Sequence, residues 1–142
     1  MIATQDNVAM TRIHYEAYNE RDFDEALKHV TEDVRWFNVP FATAFHGPSG
    51  YKEFLQNWAT AFPDSRVEVK NVIAGEGWTC TEFVGRGTHS GPLKSPQGSI
   101  SGTGRKLEIQ FCQVFRILNG KVSEAHLYFD AATMMRQMGL IP

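Results

Sequence analysis

Three polar residues in the last third of the chain, Gln113, His126 and Asp130, have side chains that can hold or move a proton. They lie in two apolar-rich runs, which an Asn-Gly pair at positions 119 and 120 separates. Asn-Gly is the strongest short signal for a β-hairpin, because both residues tolerate the positive φ that a type I′ turn requires. The sequence therefore predicts two paired antiparallel strands, Lys106–Leu118 and Lys121–Asp130.

Counting outward from the turn predicts the register of this hairpin. His126 would face Gln113, and Asp130 would face Ile109. Because side chains alternate across a strand, one face would carry Ile109, Phe111, Gln113, Phe115, Ile117, Val122, Glu124, His126, Tyr128 and Asp130. A mainly apolar wall with a few converging polar groups is typical of a small-molecule pocket.

On this face the three polar residues would form an acid/base site. An apolar cavity raises the pKa of a carboxyl group, which makes Asp130 a usable base for a carbon acid. His126 would orient or relay a proton, with Gln113 as its polar neighbour. Two alternatives stay open at this point. Asp130 could instead be the N-cap of a following helix, bonded to backbone N–H groups near Thr133, and His126 could be a pocket histidine without chemistry.

Aromatic side chains should supply most of the ligand contacts. Those expected to line the cavity are Tyr18, Trp36, Trp58, Phe111 and Tyr128. His89 precedes a Gly-rich loop and could point into the cavity mouth, although a structural turn histidine is the alternative. His14 lies on an apolar helical stripe, which favours a core or pocket-rim position.

The histidines and cysteines do not indicate a metal site. No HxH or HxxxH pair lies on one predicted element, so we expect no metal. Cys80 and Cys112 fall inside predicted strands at a spacing that fits no metal motif. Buried free thiols in a cytoplasmic protein are the favoured interpretation, and a disulfide is the alternative.

Composition excludes several classes of function. The chain has 142 residues, of which 42% are hydrophobic and 21% are charged, and its net charge is −2. This balance predicts a globular protein without the basic stripe that nucleic-acid binding requires. No apolar run approaches the roughly 20 residues of a membrane span. No basic segment followed by an apolar core is visible at the start, so we expect a cytoplasmic protein with no secretory signal.

Apolar periodicity and turn residues predict the remaining elements. The predicted helices are Gln5–Glu20, a short one from Phe23 to Val30, one from Tyr51 to Phe62, and Ala131–Gly139. The predicted strands before the hairpin are Val34–Val39, Arg66–Ala74 and Trp78–His89, and Ser90–Gly104 is predicted to be a mobile loop. This order favours a single α+β domain over residues 1–142, in which a curved antiparallel sheet packs on about three helices and encloses a cavity.

The outer face of the predicted sheet indicates a homodimer. It would expose an apolar strip formed by Cys112, Val114, Leu118, Leu127 and Phe129. Such a strip is larger than a soluble monomer usually leaves in water. A two-fold contact through this face would bury the strip on both copies.

Several short motifs resemble one known family. They are Tyr18-Asn19 with Asp22, GPSGYKEF from Gly47, AFPD from Ala61, Gly87-Thr88-His89 with Gly91, NGK from Asn119, and the ending FDAATMMRQMGLIP. Together they resemble the SnoaL-like polyketide cyclases, or ester cyclases, of the NTF2-like superfamily, and the resemblance covers nearly the whole chain. It implies a cone-shaped α+β fold around a cavity.

The resemblance also implies a reaction: a cofactor-free intramolecular aldol condensation that closes the last ring of an aromatic polyketide ester. In that family an aspartate on the final strand is the acid/base, beside a histidine on the neighbouring strand. Counted from the NGK turn, Gln113 stands at the histidine position and Leu127 at the aspartate position, whereas Asp130 matches a second acidic position.

Two other functions fit the same fold. An epoxide hydrolase on this fold needs an Asp-Arg-Asp relay, but Asp130 offers one carboxylate and Arg116 is predicted on the other face. A non-catalytic domain that binds a hydrophobic small molecule is favoured if the cavity has collapsed or lacks an ionisable group. An enzyme of the cyclase or isomerase kind leads, with a hydrophobic small molecule as its ligand.

Overall fold

The computed structural model describes residues 4–142. In chain order the elements are α1 (Thr4–Glu20), α2 (Phe23–Leu27), β1 (Val30–Asn38), β2 (Thr43–His46), α3 (Gly47–Ala61), β3 (Arg66–Gly75), β4 (Trp78–Thr88), β5 (Leu93–Ser95), β6 (Gly98–Ile100), β7 (Lys106–Leu118), β8 (Lys121–Phe129) and α4 (Ala131–Gln137). None of the helices in the described part of the chain combines the length and the apolar character that crossing a membrane requires.

A curved sheet of six strands, ordered β2-β1-β8-β7-β4-β3, packs against the helices and confirms the predicted α+β class. Four of the five pairings are antiparallel, and β1 and β8 run parallel. The parallel pair departs from the predicted all-antiparallel sheet. Its two strands are far apart in the chain, so no local turn sequence indicates whether they run parallel or antiparallel.

Helices α1 and α3 cover the concave face of the sheet. The stripe of Met10, His14, Ala17 and Tyr18 on α1 is buried, as its helical spacing predicts. Helix α1 packs against β3, and α3 packs against β1. The floor between them is formed by inner-face residues of β1, β7 and β8 with almost no exposed area, among them Phe115.

The β7–β8 hairpin forms around the predicted turn, but its register beyond the turn differs from the prediction. Leu118 pairs with Lys121, and Asn119 and Gly120 both have positive φ. A bulge then follows: Ile117 pairs with Val122, whereas the next pair is Arg116 with Glu124, which leaves Ser123 as an extra residue in β8. One extra residue exchanges the two faces of the rest of a strand.

This bulge corrects both predicted faces of β8. Gln113 pairs with Leu127, and His126 pairs with Val114. Ala125 and Leu127 point inward with almost no exposed area, whereas Tyr128 is 45% exposed on the outer face. Leu127 therefore does not belong to the outer apolar strip. Phe129 does not either, because its ring contacts the inward-facing ring of Phe111.

The segment predicted as a mobile loop contains a second, two-stranded sheet, β5 paired with β6. Leu93 at its start is 2% exposed and packs in a small core cluster with Phe41 and Met134. Backbone N–H groups of Ser90 and Gly91 donate to the carbonyl of Ala61 at the end of α3. A side chain at Gly91 would collide with the carbonyl oxygen of Thr60 at 2.0 Å, so glycine is required for this close approach. The prediction of a loop throughout Ser90–Gly104 was therefore wrong for β5 and β6, and the mobility of the segment stays a prediction.

Cys80 and Cys112 are free thiols on neighbouring strands β4 and β7. Both are half-buried on the outer face, and their sulfur atoms lie 3.3 Å apart. Burial raises the pKa of the Cys112 thiol to about 11, with a further contribution from its contact with Cys80.

Candidate functional site

A cavity of about 100 Å³ lies between α1, α3 and the concave face of the sheet. Aromatic rings form most of its wall, in particular those of Tyr15, Tyr18, Trp36, Tyr51, Phe54, Trp58, Phe62, Phe83 and Phe111. The predicted lining residues Tyr18, Trp36, Trp58 and Phe111 are therefore brought together here, along with Gln113. Glycine at position 85 of β4 makes room for one of these rings, because a Cβ there would lie 2.9 Å from the ring of Phe111.

Gln113 is the most deeply placed polar group on the sheet side of the cavity. It is 4% exposed, and its Oε1 accepts a hydrogen bond of 2.8 Å from the hydroxyl of Tyr15 on α1. Burial raises the pKa of Tyr15, so this phenol stays protonated and donates. Since Oε1 is occupied by that bond, the Nε2 amide of Gln113 is the end of the side chain that can donate to a ligand.

His14 forms a second buried polar pair with Tyr51. Nδ1 of His14 lies 2.8 Å from the hydroxyl of Tyr51, and its Nε2 is buried without a hydrogen-bond partner among the described residues. Burial lowers the pKa of His14 to about 3, with a smaller contribution from His29. The imidazole is therefore neutral at physiological pH. Tyr51 is in turn stacked on Trp36, with ring centroids 3.8 Å apart, which holds the pair in place.

Neutral hydrogen-bonding groups dominate the chemistry of this cavity. Its described wall contains no carboxylate, and its one permanent charge, Arg86, is bound by Glu68 and Glu108 at 2.9 and 2.6 Å on the exposed side. Burial also raises the pKa values of Tyr18 and Tyr51. Phenol and amide donors of this kind can stabilise a developing oxyanion on a carbonyl compound.

Asp130 lies outside the cavity and caps α4. Its Oδ1 accepts from the backbone N–H of Thr133 at 3.1 Å, and its Oδ2 accepts from the Thr133 hydroxyl at 2.9 Å. These bonds lower the pKa of Asp130, contrary to the predicted rise. The predicted raised pKa required an apolar cavity around the carboxylate, whereas this one is exposed to solvent. Of the two alternatives that the sequence left open, the geometry is that of the N-cap.

His126 is separated from Gln113 by the thickness of the sheet. It lies on the outer face, stacked on Phe37 at 4.7 Å between ring centroids, with its Nε2 3.6 Å from Oε1 of Glu124. The predicted grouping of His126, Gln113 and Asp130 was wrong for a single reason. The bulge at Ser123 exchanges the two faces of the rest of β8, so that of these three residues only Gln113 faces inward.

Tyr128 and His89, the other two predicted ligand contacts, do not line the cavity. The bulge at Ser123 places Tyr128, like His126, on the outer face of the sheet. His89 is fully buried beside Phe62, and its Nδ1 lies 3.0 Å from the hydroxyl of Thr103. This bond holds the base of the β5–β6 segment, which agrees with the structural alternative for His89.

Tyr15 and Tyr51 are polar members of the wall that were not among the predicted lining residues. Both occur on amphipathic helices whose apolar stripes were recognised, and His14 on α1 was identified as a core or rim histidine. The available signal was a hydroxyl or imidazole on an otherwise apolar stripe, because a buried polar group needs a partner. Which partner it finds depends on the packing of α1 against α3 and β7.

Comparisons with known proteins agree with this fold. The family model for the SnoaL-like polyketide cyclases matches residues 8–138. Among curated proteins, no relative matches the sequence. The structure resembles an NTF2-like protein of unknown function from Burkholderia pseudomallei K96243, with a TM-score of 0.76 and 23% identity over 94% of this chain and 97% of that one.

Two further solved structures share the fold. IdmH from Streptomyces antibioticus, a candidate polyketide cyclase, has a TM-score of 0.78 and 23% identity, and covers 94% of this chain and 98% of its own. TerC, which was co-crystallised with polyporic acid, has a TM-score of 0.75 and 17% identity over 94% of this chain and 98% of its own. A family model that matches almost the whole chain, on a fold of the same kind, identifies this chain as a member of the SnoaL-like polyketide cyclase family.

Proposed function

We propose that this chain binds a hydrophobic small molecule in its cavity and closes a ring in it by a cofactor-free aldol-type reaction. The observation that carries this proposal is the Tyr15–Gln113 hydrogen bond in the wall of a mainly apolar cavity. It presents the Gln113 amide as an oriented donor at a place where apolar rings exclude water. Membership in a family of cyclases supplies the class of reaction.

In such a reaction a proton leaves the carbon beside one carbonyl group, and the resulting enolate carbon attacks a second carbonyl carbon of the same molecule. The alkoxide that forms then takes up a proton. The Gln113 amide would donate to the enolate oxygen, and the neutral His14 imidazole is the nitrogen base in the wall. A pKa of about 3 makes this base weak, so the donors and the folded conformation of the bound chain would supply most of the rate enhancement.

The test is a thermal-shift screen of polyketide esters, steroids and epoxides, followed by product analysis by mass spectrometry for each compound that binds. A ring-closed product that forms with the native chain should form at least 10-fold more slowly with Gln113→Leu. Tyr128→Phe, which changes a hydroxyl on the outer face, is the matched control and should leave the rate unchanged. Equal rates in all three proteins would contradict the proposal that Gln113 in the cavity takes part in the reaction.

A non-catalytic binding domain is the second candidate, and one specific observation favours it. The positions at which the resemblance places the histidine and the aspartate are here Gln113 and Leu127, which face each other on the inner surface. No carboxylate replaces them in the described wall of the cavity. Binding of a ligand without any product, at enzyme concentrations equal to those of the ligand, would establish this function instead.

We also propose that the chain forms a homodimer in the cytoplasm through the outer face of its sheet. The large apolar side chains exposed on that face are Ile73, Trp78, Leu118 and Tyr128, each between 44% and 58% exposed. They surround the half-buried Cys80 and Cys112, whose free thiols fit a reducing compartment. A two-fold contact would bury this surface on both copies.

A further inference from the structure

A second cavity of about 230 Å³ lies on the opposite side of α3 from the first. Its wall is formed by the end of β1, by β2, by the outer part of α3 and by β5. Phe54 and Trp58, one helical turn apart on α3, are the residues that line both cavities. Two aromatic rings therefore form the partition between the two spaces.

The sizes of the two spaces bear on what the site can hold. The main cavity, at about 100 Å³, is smaller than the roughly 150 Å³ space that accommodates benzene in an engineered protein core. Pockets for drug-sized ligands measure about 300–1,000 Å³. Neither cavity reaches that range by itself, whereas the two together reach its lower end.

Trp58 is the less buried half of this partition. Its side chain is only partly buried, and no hydrogen bond holds its indole nitrogen to any described residue. Its ring neighbours include Phe129, Phe111 and Phe41, with centroids 5.7, 6.0 and 6.4 Å away, and it also packs against the core cluster that contains Leu93. A rotation of the indole therefore breaks no hydrogen bond. Trp36, by comparison, is 1% exposed and stacked closely on Tyr51.

The second cavity differs from the first in polarity. Its wall includes Asn38, Glu53, Asn57 and Lys94 beside the rings. Oδ1 of Asn38 accepts from the backbone N–H of Phe41 at 3.3 Å, and the described residues provide no partner for its Nδ2. An amide donor and a lysine at this end suit an oxygen acceptor on a ligand, whereas the wall of the main cavity is mainly apolar.

We propose that Trp58 is a movable partition, and that its rotation joins the two cavities into one elongated site for a ligand of two or three rings. The apolar ring of such a ligand occupies the main cavity, and its oxygen-bearing end lies beside Asn38 and Lys94. The inference rests on the proposed function in one respect, namely that the main cavity binds a hydrophobic ligand.

The test compares two probes by titration calorimetry. Phenol has one ring, and polyporic acid has three six-membered rings in a row. Trp58→Ala removes the partition and should tighten the binding of polyporic acid at least 10-fold. Ala44→Trp fills the second cavity from β2 and should weaken the binding of polyporic acid at least 10-fold more than that of phenol. Trp78→Ala, on the outer face, is the control and should change neither.

The outcomes separate this inference from the proposed function. The partition is overturned if phenol binds and if the native chain, Trp58→Ala and Ala44→Trp all bind polyporic acid with equal affinity. That outcome would leave the main cavity in place as a binding site. Failure of both probes to bind the native chain and Trp58→Ala would overturn both proposals. Ala44→Trp changes an exposed residue outside the core, so it decides the question by itself if Trp58→Ala does not fold.

Discussion

The hydroxyl of Tyr15 donates a 2.8 Å hydrogen bond to Oε1 of Gln113, which ties α1 to the inner face of β7. Both side chains are buried, so each would be left without a partner if the other were removed. An unsatisfied buried polar group costs about 1–3 kcal/mol.

This bond predicts a strong coupling between the two residues. Tyr15→Phe should lower the free energy of unfolding by about 1–3 kcal/mol, because Oε1 of Gln113 loses its donor. The double variant Tyr15→Phe with Gln113→Leu should lose clearly less than the two single losses added together, since neither polar group is then left unsatisfied. Urea unfolding measures all three. Tyr128→Phe should change stability by less than about 0.5 kcal/mol, and strictly additive losses would contradict the coupling.

The buried imidazole of His14 predicts a dependence of stability on pH. The folded-state pKa of about 3 lies below the ordinary value of 6.5, so between these values the unfolded chain binds a proton that the folded chain does not. Stability therefore falls as the pH drops below about 6.5, by up to about 1.4 kcal/mol per pH unit from this group.

Urea unfolding at pH 6.5 and pH 5 tests this, with His14→Gln as the matched variant. The native chain should lose about 1–2 kcal/mol more than His14→Gln between the two pH values. Identical losses would show that His14 is protonated, or accessible to solvent, in the folded state.

Capping of α4 by Asp130 predicts that this residue affects stability and not turnover. Asp130→Asn keeps an oxygen that can accept from Thr133 and should change any measured turnover by less than about twofold, whereas loss of an acid/base group costs about 10²-fold or more. Asp130→Ala removes the acceptor and should lower the urea midpoint. Because the folded pKa of Asp130 is depressed, its stabilising effect is present above its unfolded pKa and is lost as the pH falls through the folded one. A large loss of turnover in Asp130→Asn would restore its catalytic role.

The exposed apolar side chains on the outer face of the sheet predict a dimer that a single introduced charge should disrupt. Light scattering at micromolar concentration should give twice the mass of the chain, and Ile73→Lys should shift it to the mass of the monomer. Ile73 is 57% exposed, so the substitution should have little effect on the fold itself. Lys94→Glu, on β5 and away from the outer face, is the control. A monomeric native chain would contradict the proposed interface.

The separation of 3.3 Å between the sulfur atoms of Cys80 and Cys112 predicts that hydrogen peroxide links them within one chain. Each thiol loses a hydrogen atom as the S–S bond forms, and the peroxide is reduced to two molecules of water. Mass spectrometry under non-reducing conditions should show a loss of about 2 Da and no free thiol. Cys112→Ser should form no such link. The reaction should be slow near pH 7, since the raised pKa of Cys112 leaves little thiolate.

Much of the fold follows from local signals in the sequence. The stripe on α1 and the Asn119-Gly120 turn each depend on a few neighbouring residues, and each was found where it was predicted. Their order along the chain was enough for the α+β class, because short-range geometry decides what each segment becomes.

The candidate site, in contrast, was decided by tertiary structure. One unpaired residue, Ser123, turns His126 and Tyr128 to the outer face and brings Leu127 opposite Gln113, and no local pattern marks that bulge. The partners of Gln113 and His14 are Tyr15 and Tyr51, which only the packing of α1 and α3 onto the sheet brings within hydrogen-bond distance. The sequence by itself therefore determined the helices and the long strands, but not the short strands β2, β5 and β6. Register and packing decided which of their polar groups meet, because a shift of one residue in a strand reverses its faces while leaving its local sequence unchanged.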